Sequence, residues 1–155
     1  MANSEHGIDR VAEAVRQAAL LAMRHFLNRD ELSVSAMEVL HTLSVDGPTR
    51  LTTLSEAIHI SQPAMTQLIQ RLGRRNLVAR LADPEDGRAT IVNLTESARN
   101  LLRRLRNDDN EKLGALLATL SERDQEALRL AMYVAGPIIQ RLNENAALLA
   151  QATTG

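Results

Sequence analysis

The segment DPEDGRATIVNLT, residues 83–95, interrupts a chain whose other apolar residues recur at helical spacing. Pro84 and Gly87 favour a tight turn, and the β-branched residues that follow favour a strand. Residues 77–82 and 89–94 therefore predict two short strands that flank a charged loop at 83–88. The fold class that we predict is mainly α, with a small β hairpin in the middle of the chain.

Helical patterns precede the hairpin. Apolar residues at positions 8, 11, 12, 15, 19 and 22 predict an amphipathic helix from Ile8 to about Asn28. Ser33 is expected to cap a second helix that ends near Ser44. Turn residues at 45–48 separate it from a short third helix.

The fourth helix is also expected to begin at a cap. Ser61 can accept a first-turn N–H, and Pro63 is tolerated in that turn because the turn needs few N–H donors. Four apolar residues at i, i+3, i+4 and i+7 predict one buried stripe: Met65, Leu68, Ile69 and Leu72. Asn76 can adopt the left-handed conformation that ends a helix.

Two long helices are predicted after the hairpin. Thr95 is expected to cap the first, which runs to about Thr119. The sequence SERD at 121–124 is similar to a capping box and starts the last helix. Pro137 lies inside that last pattern and is expected to kink or split it.

Composition narrows the class of protein. The chain has no Cys, which excludes disulfides and thiol chemistry. With one Tyr, one Phe and no Trp, its core must be aliphatic, which suits packed helices. No apolar run approaches membrane-spanning length, and residues 1–10 lack the apolar region of a signal peptide. We therefore expect one cytoplasmic domain.

The net charge of −1 indicates no partner, but the charges are unevenly distributed. Between Ser61 and Ala82 there is no acidic residue and there are four arginines: Arg71, Arg74, Arg75 and Arg80. Such a stretch is typical of a surface that meets a polyanion, and a solvated face explains the charge alone equally well. Two short helices joined by a tight turn and followed by a hairpin match a winged helix-turn-helix, which favours DNA.

The exposed side of the fourth helix carries groups that can read base edges. Opposite the apolar stripe lie Pro63, Thr66, Gln67, Gln70 and Arg74, with Arg71 at the edge. Gln can pair with N6 and N7 of adenine, Arg with O6 and N7 of guanine, and Thr offers a hydroxyl and a methyl group. A recognition helix contacts bases mainly near its N-terminus, which also favours phosphate. The alternative is an ordinary exposed amphipathic helix.

The charged loop of the hairpin supplies a second candidate contact. Arg88 is placed to enter a minor groove, whose negative potential attracts guanidinium. Asp86 can pair with Arg88 and so reduce the side-chain entropy lost on binding. The alternative is a surface turn pair of little energetic value.

These residues resemble the MarR family of regulators, named for multiple antibiotic resistance. The sequence DGRATIVNLT at 86–95 fits the family's wing signature D-x-R-x5-L-T. The stretches DGP, LSEAIHISQPAMTQLIQRL and NLVARLADPEDGR are similar to the family's winged helix-turn-helix, in the same order. The resemblance is detailed from about Leu32 to Leu102, and the flanking helices agree in length and position.

The resemblance implies a homodimer that binds duplex DNA at a pseudo-palindromic operator, usually as a repressor that a small phenolic or anionic ligand releases. It implies a single domain, with a winged lobe at 33–94 and dimerisation helices at 8–29 and 96–150. The contacts carried over are Ser61, Gln62, Pro63, Ala64, Thr66, Gln67 and Arg71, with Asp86 and Arg88 as the wing pair. Gln70 and Arg74 complete the expected DNA-binding set.

An effector pocket is expected between the dimerisation helices and the lobe. Its candidate residues are Arg16, Leu21, Arg24, His25, Met37 and His41. His25 and His41 could face each other, with Glu38 one turn from His41, but this spacing fits no standard metal site. We expect no metal and no cofactor.

Five positions depart from the family pattern. Arg50 stands where a Ser or Thr cap is common, and Asn76 and Ala98 replace common glycines. Gly136-Pro137 is not expected in the last helix. None of these positions belongs to the expected DNA-reading set.

An enzyme and a helical protein-interaction module are the alternatives to a DNA-binding regulator. An enzyme would need a nucleophile elbow, a phosphate loop or paired carboxylates in distinct environments, and the sequence shows none, so we expect no enzymatic activity. A helical protein-interaction module would explain the leucine-rich ends but not the basic helix beside the wing. Salt-dependent binding to duplex DNA separates a regulator from both.

Overall fold

The computed structural model describes residues 2–26, 32–87 and 89–153. Its helices are α1 (Ala2–His25), α2 (Val34–Asp46), α3 (Leu51–Ala57), α4 (Gln62–Arg74), α5 (Glu96–Leu117) and α6 (Glu122–Thr153). Its strands are β1 (Thr49–Arg50), β2 (Val78–Ala82) and β3 (Thr90–Leu94). The predicted fold class, mainly α with a small β hairpin, is confirmed.

The core lies in the middle of the chain, where α2, α3, α4 and the sheet meet. The large side chains buried most completely are Val39, Leu40, Leu54, Met65, Ile69, Leu72 and Val92. All four residues of the α4 stripe predicted from helical spacing are buried. This packing fixes the opposite face of α4 toward solvent.

Side-chain caps start four of these helices, as the sequence predicts, and in α6 the hydroxyl of Ser121 accepts the N–H of Asp124 at 3.2 Å. The hydroxyl oxygen of Ser33 accepts the N–H of Ala36 at 3.2 Å. Ser61 accepts from Ala64 at 3.4 Å, and Thr95 accepts from the Ala98 N–H at 3.2 Å. Each bond satisfies one first-turn N–H that has no partner within its helix.

The end of α4 is tied to the start of α5. Asn76 has a φ of 56°, the predicted left-handed conformation, and the N–H of Leu77 bonds the carbonyl of Leu72 at 2.9 Å. The Thr95 hydroxyl donates to the Asn76 carbonyl at 2.6 Å, and the Asn76 amide nitrogen lies 3.2 Å from the hydroxyl of Ser97. The same junction therefore ends one helix and positions the next.

The sheet has three strands rather than the two that were predicted. Their order is β1-β3-β2, and both pairings are antiparallel. The added strand β1 is two residues long, with Thr49 opposite Val92 and Arg50 opposite Ile91. A segment this short shows no alternating pattern, which is why sequence reasoning missed it.

The two terminal helices differ from their predictions at specific points. Helix α1 begins at Ala2 rather than Ile8, and its predicted end near Asn28 lies outside the described residues. Helix α6 continues through Pro137 and is not split. Proline removes the donor that would bond the carbonyl of Tyr133, but this part of α6 is exposed, so water can solvate that carbonyl.

Apolar side chains are exposed along both terminal helices. In α1 they include Ile8, Val11, Val15, Leu20, Leu21 and Met23; in α6 they include Leu128, Leu130, Met132, Tyr133, Val134, Ile138, Ile139 and Leu142. Within the described residues, no helix is long and apolar enough to cross a membrane. These faces are therefore apolar surface that the single chain leaves in contact with water.

Candidate DNA-binding site

The outer face of α4 presents the polar side chains that the sequence singled out. Gln62, Pro63, Ala64, Gln67, Gln70, Arg71 and Arg74 are exposed, and Thr66 is half-buried. The buried stripe on the opposite side holds this face in place. The helix thus projects amide, hydroxyl and guanidinium groups from a rigid support.

The first turn of α4 is built for close approach. Ser61 caps it, and Gln62 and Pro63 occupy its first two positions, where a missing N–H costs little. The hydroxyl of Thr66 donates to the carbonyl of Gln62 at 2.9 Å, which fixes the side chain and leaves its methyl group and oxygen lone pairs available. The helix dipole adds partial positive charge at this end.

The last turn of α4 adds full positive charge. Arg71 and Arg74 are exposed, and neither forms an ion pair with any residue that the structure describes. The helix itself contains no acidic residue. An unneutralised basic turn beside a polar face can contact phosphate and base edges at the same time.

The tip of the wing is held by two backbone bonds. The N–H of Asp83 bonds the carbonyl of Ala89 at 3.2 Å, and the N–H of Ala89 bonds the carbonyl of Asp86 at 2.8 Å. Arg88 lies outside the described residues, so its pairing with Asp86 and its minor-groove contact stay predictions.

Sequence reasoning missed the ion pair at the base of the tip. Nε of Arg50 donates to Oδ2 of Asp83 at 2.6 Å, and the backbone N–H of Glu85 donates to Oδ1 at 2.9 Å. The Asp83 side chain is 3% exposed and that of Arg50 is 47% exposed. The Glu85 amide, and then Arg50, lower the pKa of Asp83 below its usual value, and the Asp83 carboxylate raises the pKa of Arg50.

One sequence signal for this pair was present. Arg50 occupies the N-cap position of α3, and its side chain makes no cap hydrogen bond. A basic residue at a position that favours Ser, Thr or Asp indicates that its side chain bonds a group outside the helix. The sequence does not identify that group as Asp83, because 33 residues separate the two.

The six expected effector residues do not share one crevice. Met37 and His41 line a crevice of about 770 Å³ between α2, β3 and α5. Arg24 and His25 line a second one, of about 420 Å³, with Lys112, Ala115 and Leu116 of α5. Among these residues, His25 and His41 do not face each other within the chain.

The other two expected effector residues line neither crevice. Arg16 pairs with Glu13 at 2.8 Å on the surface of α1, and Leu21 is exposed. Within the described residues, no three His, Asp or Glu side chains are grouped so that they could hold a metal ion.

Comparisons with known proteins agree with this geometry. The sequence profile of the MarR family matches residues 32–90. An HTH-type transcriptional regulator of Mycobacterium bovis is 32% identical over 100 residues, which cover 64% of this chain and 70% of that protein. The regulator YfiV of Bacillus subtilis is 31% identical over 116 residues, or 75% of this chain and 70% of YfiV.

Solved structures show the same fold. RV1404 of Mycobacterium tuberculosis superposes with a TM-score of 0.73 at 19% identity, covering 84% of this chain and 92% of that one. The PcaV transcriptional regulator of Streptomyces coelicolor, solved with its natural ligand, superposes with a TM-score of 0.54 at 26% identity. The match covers 88% of this chain and 91% of that one. With these relatives, the exposed polar face of α4 and the wing that follows it, this chain belongs to the MarR family of helix-turn-helix transcriptional regulators.

Proposed function

We propose that the chain binds duplex DNA sequence-specifically, as a homodimer on a pseudo-palindromic operator, and represses transcription until a small ligand releases it. The observation that carries the proposal is the outer face of α4, polar and basic while the inner face is fully buried. Access to chromosomal DNA would place the protein in the cytoplasm, and no enzymatic step is needed.

The DNA contacts divide into two kinds. The exposed glutamines of α4, foremost Gln67, are proposed to read base edges in the major groove. Arg71, Arg74 and the wing residue Arg88 are proposed to contact phosphates and the minor groove, with Asp86 orienting Arg88. Ser61, Gln62, Pro63, Ala64, Thr66 and Gln70 complete the contact set.

The proposed dimer rests on the exposed apolar residues of α1 and on the face of α6 that carries Leu128, Ile138, Ile139 and Leu142. Contiguous apolar surface of this extent is typical of an interface. Two-fold symmetry would place one recognition helix in each half-site, about 34 Å apart. A monomer would engage one half-site only.

The proposed ligand site is the larger crevice, which lies between α5 and the lobe elements α2 and β3. Its lining combines apolar groups such as Met37 and Leu102 with His41, three arginines and two carboxylates: Arg99, Arg103, Arg106, Glu96 and Asp109. Arg99 and Arg103 pair with Glu96. A crevice with apolar groups and more arginines than carboxylates suits a small aromatic acid. The ligand held by the PcaV structure makes a ligand-responsive regulator a reasonable precedent.

Selection of preferred sites from random duplex DNA tests the proposed DNA contacts. Gln67→Ala should change the selected motif, while Arg88→Ala should weaken binding to all sequences, and Asp86→Ala should do so more mildly. Gln17→Ala, on the exposed surface of α1, is the matched control and should leave the motif unchanged. An unchanged motif with Gln67→Ala would show that α4 does not read bases as proposed.

Ligand release is tested by reciprocity. A phenolic acid such as salicylate is titrated into the free protein and into the protein–operator complex. If it acts as an inducer, operator DNA must lower its affinity by the same factor by which it lowers DNA affinity. Equal affinities in the two titrations exclude that compound as an inducer, and failure across a broad panel of acids would favour control by protein abundance alone.

A further inference from the structure

Besides the backbone pairing of β1 with β3, one side chain connects the start of the wing tip to the helix-turn-helix. Arg50 ends β1, stands at the N-cap of α3, and reaches across to Asp83, where the wing tip begins. A Ser or Thr at this position would stabilise α3 by accepting a first-turn N–H. Arg50 makes no such bond, so its side chain acts on the wing instead.

The acceptor is held on both of its oxygens. Oδ2 of Asp83 takes the Arg50 donor and Oδ1 takes the Glu85 N–H, while the side chain is almost fully buried. A buried carboxylate is costly unless its charge is paired, so Asp83 has a strong preference for this one arrangement. The bond to Glu85 then fixes the first turn of the tip.

We propose that Arg50 is a positioning residue for DNA binding, because its contact with Asp83 fixes the wing tip relative to α3 and α4. The inference rests on the proposed DNA-binding function. The wing tip and α4 must meet the duplex together, and a tip that moved freely would lose entropy on binding. Fixing the tip beforehand removes that cost.

A direct contact between Arg50 and a phosphate is the main competing explanation, since the guanidinium is half-exposed. The two explanations give opposite results for Asp83→Asn. This substitution keeps the Arg50 charge and removes a negative charge, so it would maintain or strengthen a phosphate contact. If Arg50 acts by positioning, Asp83→Asn weakens DNA binding as Arg50→Ala does.

The experiment measures operator affinity, its salt dependence and the hydroxyl-radical footprint for Arg50→Ala, Arg50→Lys, Asp83→Asn and the double variant Arg50→Ala/Asp83→Asn. We expect each single variant to bind about tenfold more weakly. Protection should be lost at the outer, wing-contacted sugars and kept at the α4-contacted ones. The double variant should be no weaker than Arg50→Ala, since Arg50→Ala already removes the contact with Asp83 and the longer pairing of Arg50 with Glu85 at 3.6 Å. Full-affinity Asp83→Asn would overturn the proposal.

To separate positioning from a purely structural role, DNA affinity and the footprint are measured at a temperature where circular dichroism shows that every variant is folded. Variants that melt earlier but keep wild-type affinity and footprint there would also overturn the proposal. Arg50→Lys guards against misfolding of the others, because it keeps the charge but lacks the Nε donor that faces Asp83.

Hydrogen exchange keeps the inference independent of the proposed function. The amides of Asp83 and Ala89 close the tip, so both should exchange faster in Arg50→Ala than in the wild type. If the wild-type protein bound no DNA specifically, the proposed function would be wrong. The exchange difference between Arg50→Ala and the wild type would still show whether Arg50 holds the wing tip. Unchanged exchange at both amides would refute the anchoring itself.

Discussion

Helices α4 and α6 treat similar apolar residues in opposite ways. In α4 each residue of the apolar stripe is buried against the chain's own core, and the other face carries polar groups. In α6 the apolar residues, Leu128, Ile139 and Leu142 among them, stay exposed. Within one chain, the apolar residues are therefore buried in the lobe and exposed in the terminal helices. Those of the terminal helices would be buried only against a second surface.

This contrast separates two sources of stability. The lobe, from α2 to the start of α5, holds the buried core and can be damaged by changes inside one chain. The terminal helices would be stabilised by association, which depends on protein concentration. The bonds between Asn76, Thr95 and Ser97 connect the end of α4 to the first turn of α5, so a shift of α5 would act directly on the end of α4.

The largest expected effect comes from placing charge on the exposed apolar face. The double variant Ile139→Glu/Leu142→Glu should weaken the dimer by more than about 1000-fold, since each buried unpaired carboxylate costs several kcal/mol. Operator binding should fall with it. Sedimentation equilibrium measures the dimer, and a variant that dimerises like the wild type would show that this face is not the interface.

Tyr133→Glu is the matched control for that experiment. Tyr133 is 80% exposed and lies half a turn away from Leu142 on the same helix. Charge at this position should leave dimerisation nearly unchanged. Equal disruption by both variants would mean that α6 responds to charge in general rather than through one face.

The next largest effect compares the same deletion in the two regions. Leu54 is fully buried, so Leu54→Ala should lower the free energy of unfolding by about 2–5 kcal/mol. Leu142→Ala removes the same atoms from an exposed site in α6, so any loss should appear only through the dimer. Urea unfolding at several protein concentrations separates the two. A concentration-independent loss for Leu142→Ala would contradict the distinction.

What the sequence could predict was mostly local. The caps at Ser33, Ser61 and Thr95 and the apolar stripe of α4 depend on residues within one or two turns, where spacing alone carries the information. The left-handed Asn76 follows from its side chain and its place after a helix. The wing signature then placed the hairpin and the family.

What the sequence missed depends on tertiary structure. Arg50 and Asp83 are 33 residues apart, and although a basic residue at the N-cap of α3 indicates that Arg50 bonds elsewhere, no local pattern identifies Asp83 as its partner. Strand β1 forms because its backbone pairs with the edge of β3. Two residues are too few to show the alternation of apolar and polar side chains that predicts a strand. The expected effector residues were grouped as the lining of one crevice, but Met37 and His41 line one crevice beside α5 while Arg24 and His25 line another.

A smaller effect should appear in the pH dependence of stability. The pKa of Asp83 is lowered, so its contribution is fully present above the usual carboxyl value of about 3.9 and is lost as pH falls through the lower folded-state value. Asp83→Asn should therefore be destabilised at pH 7, with the difference from wild type shrinking in strong acid. Thermal melts across this range measure it, and a pH-independent difference would mean that the charge of Asp83 is not the cause.

Glu126 of α6 supplies the comparison between regions. Arg129 also lowers the pKa of Glu126, but this pair is exposed on the helix surface. Exposed pairs three residues apart contribute little after solvent screening. Glu126→Gln should shift the melting temperature much less than Asp83→Asn at pH 7, and an equal shift would contradict the importance given to burial.

The smallest effect concerns the turn between α3 and α4. His59 has a φ of 54°, a left-handed conformation that costs a residue with a Cβ about 1 kcal/mol. His59→Gly relieves that cost but gives the unfolded chain more freedom, so the net gain in the free energy of unfolding should stay below about 1 kcal/mol.

Asn76→Gly is the control. Asn76 has the same left-handed conformation, but its side chain bonds Ser97, so replacing it with Gly should stabilise the protein less. Because both positions belong to the lobe, urea unfolding should show gains that do not vary with protein concentration. A larger gain at Asn76 than at His59 would mean that the bond to Ser97 contributes nothing to joining the lobe to α5.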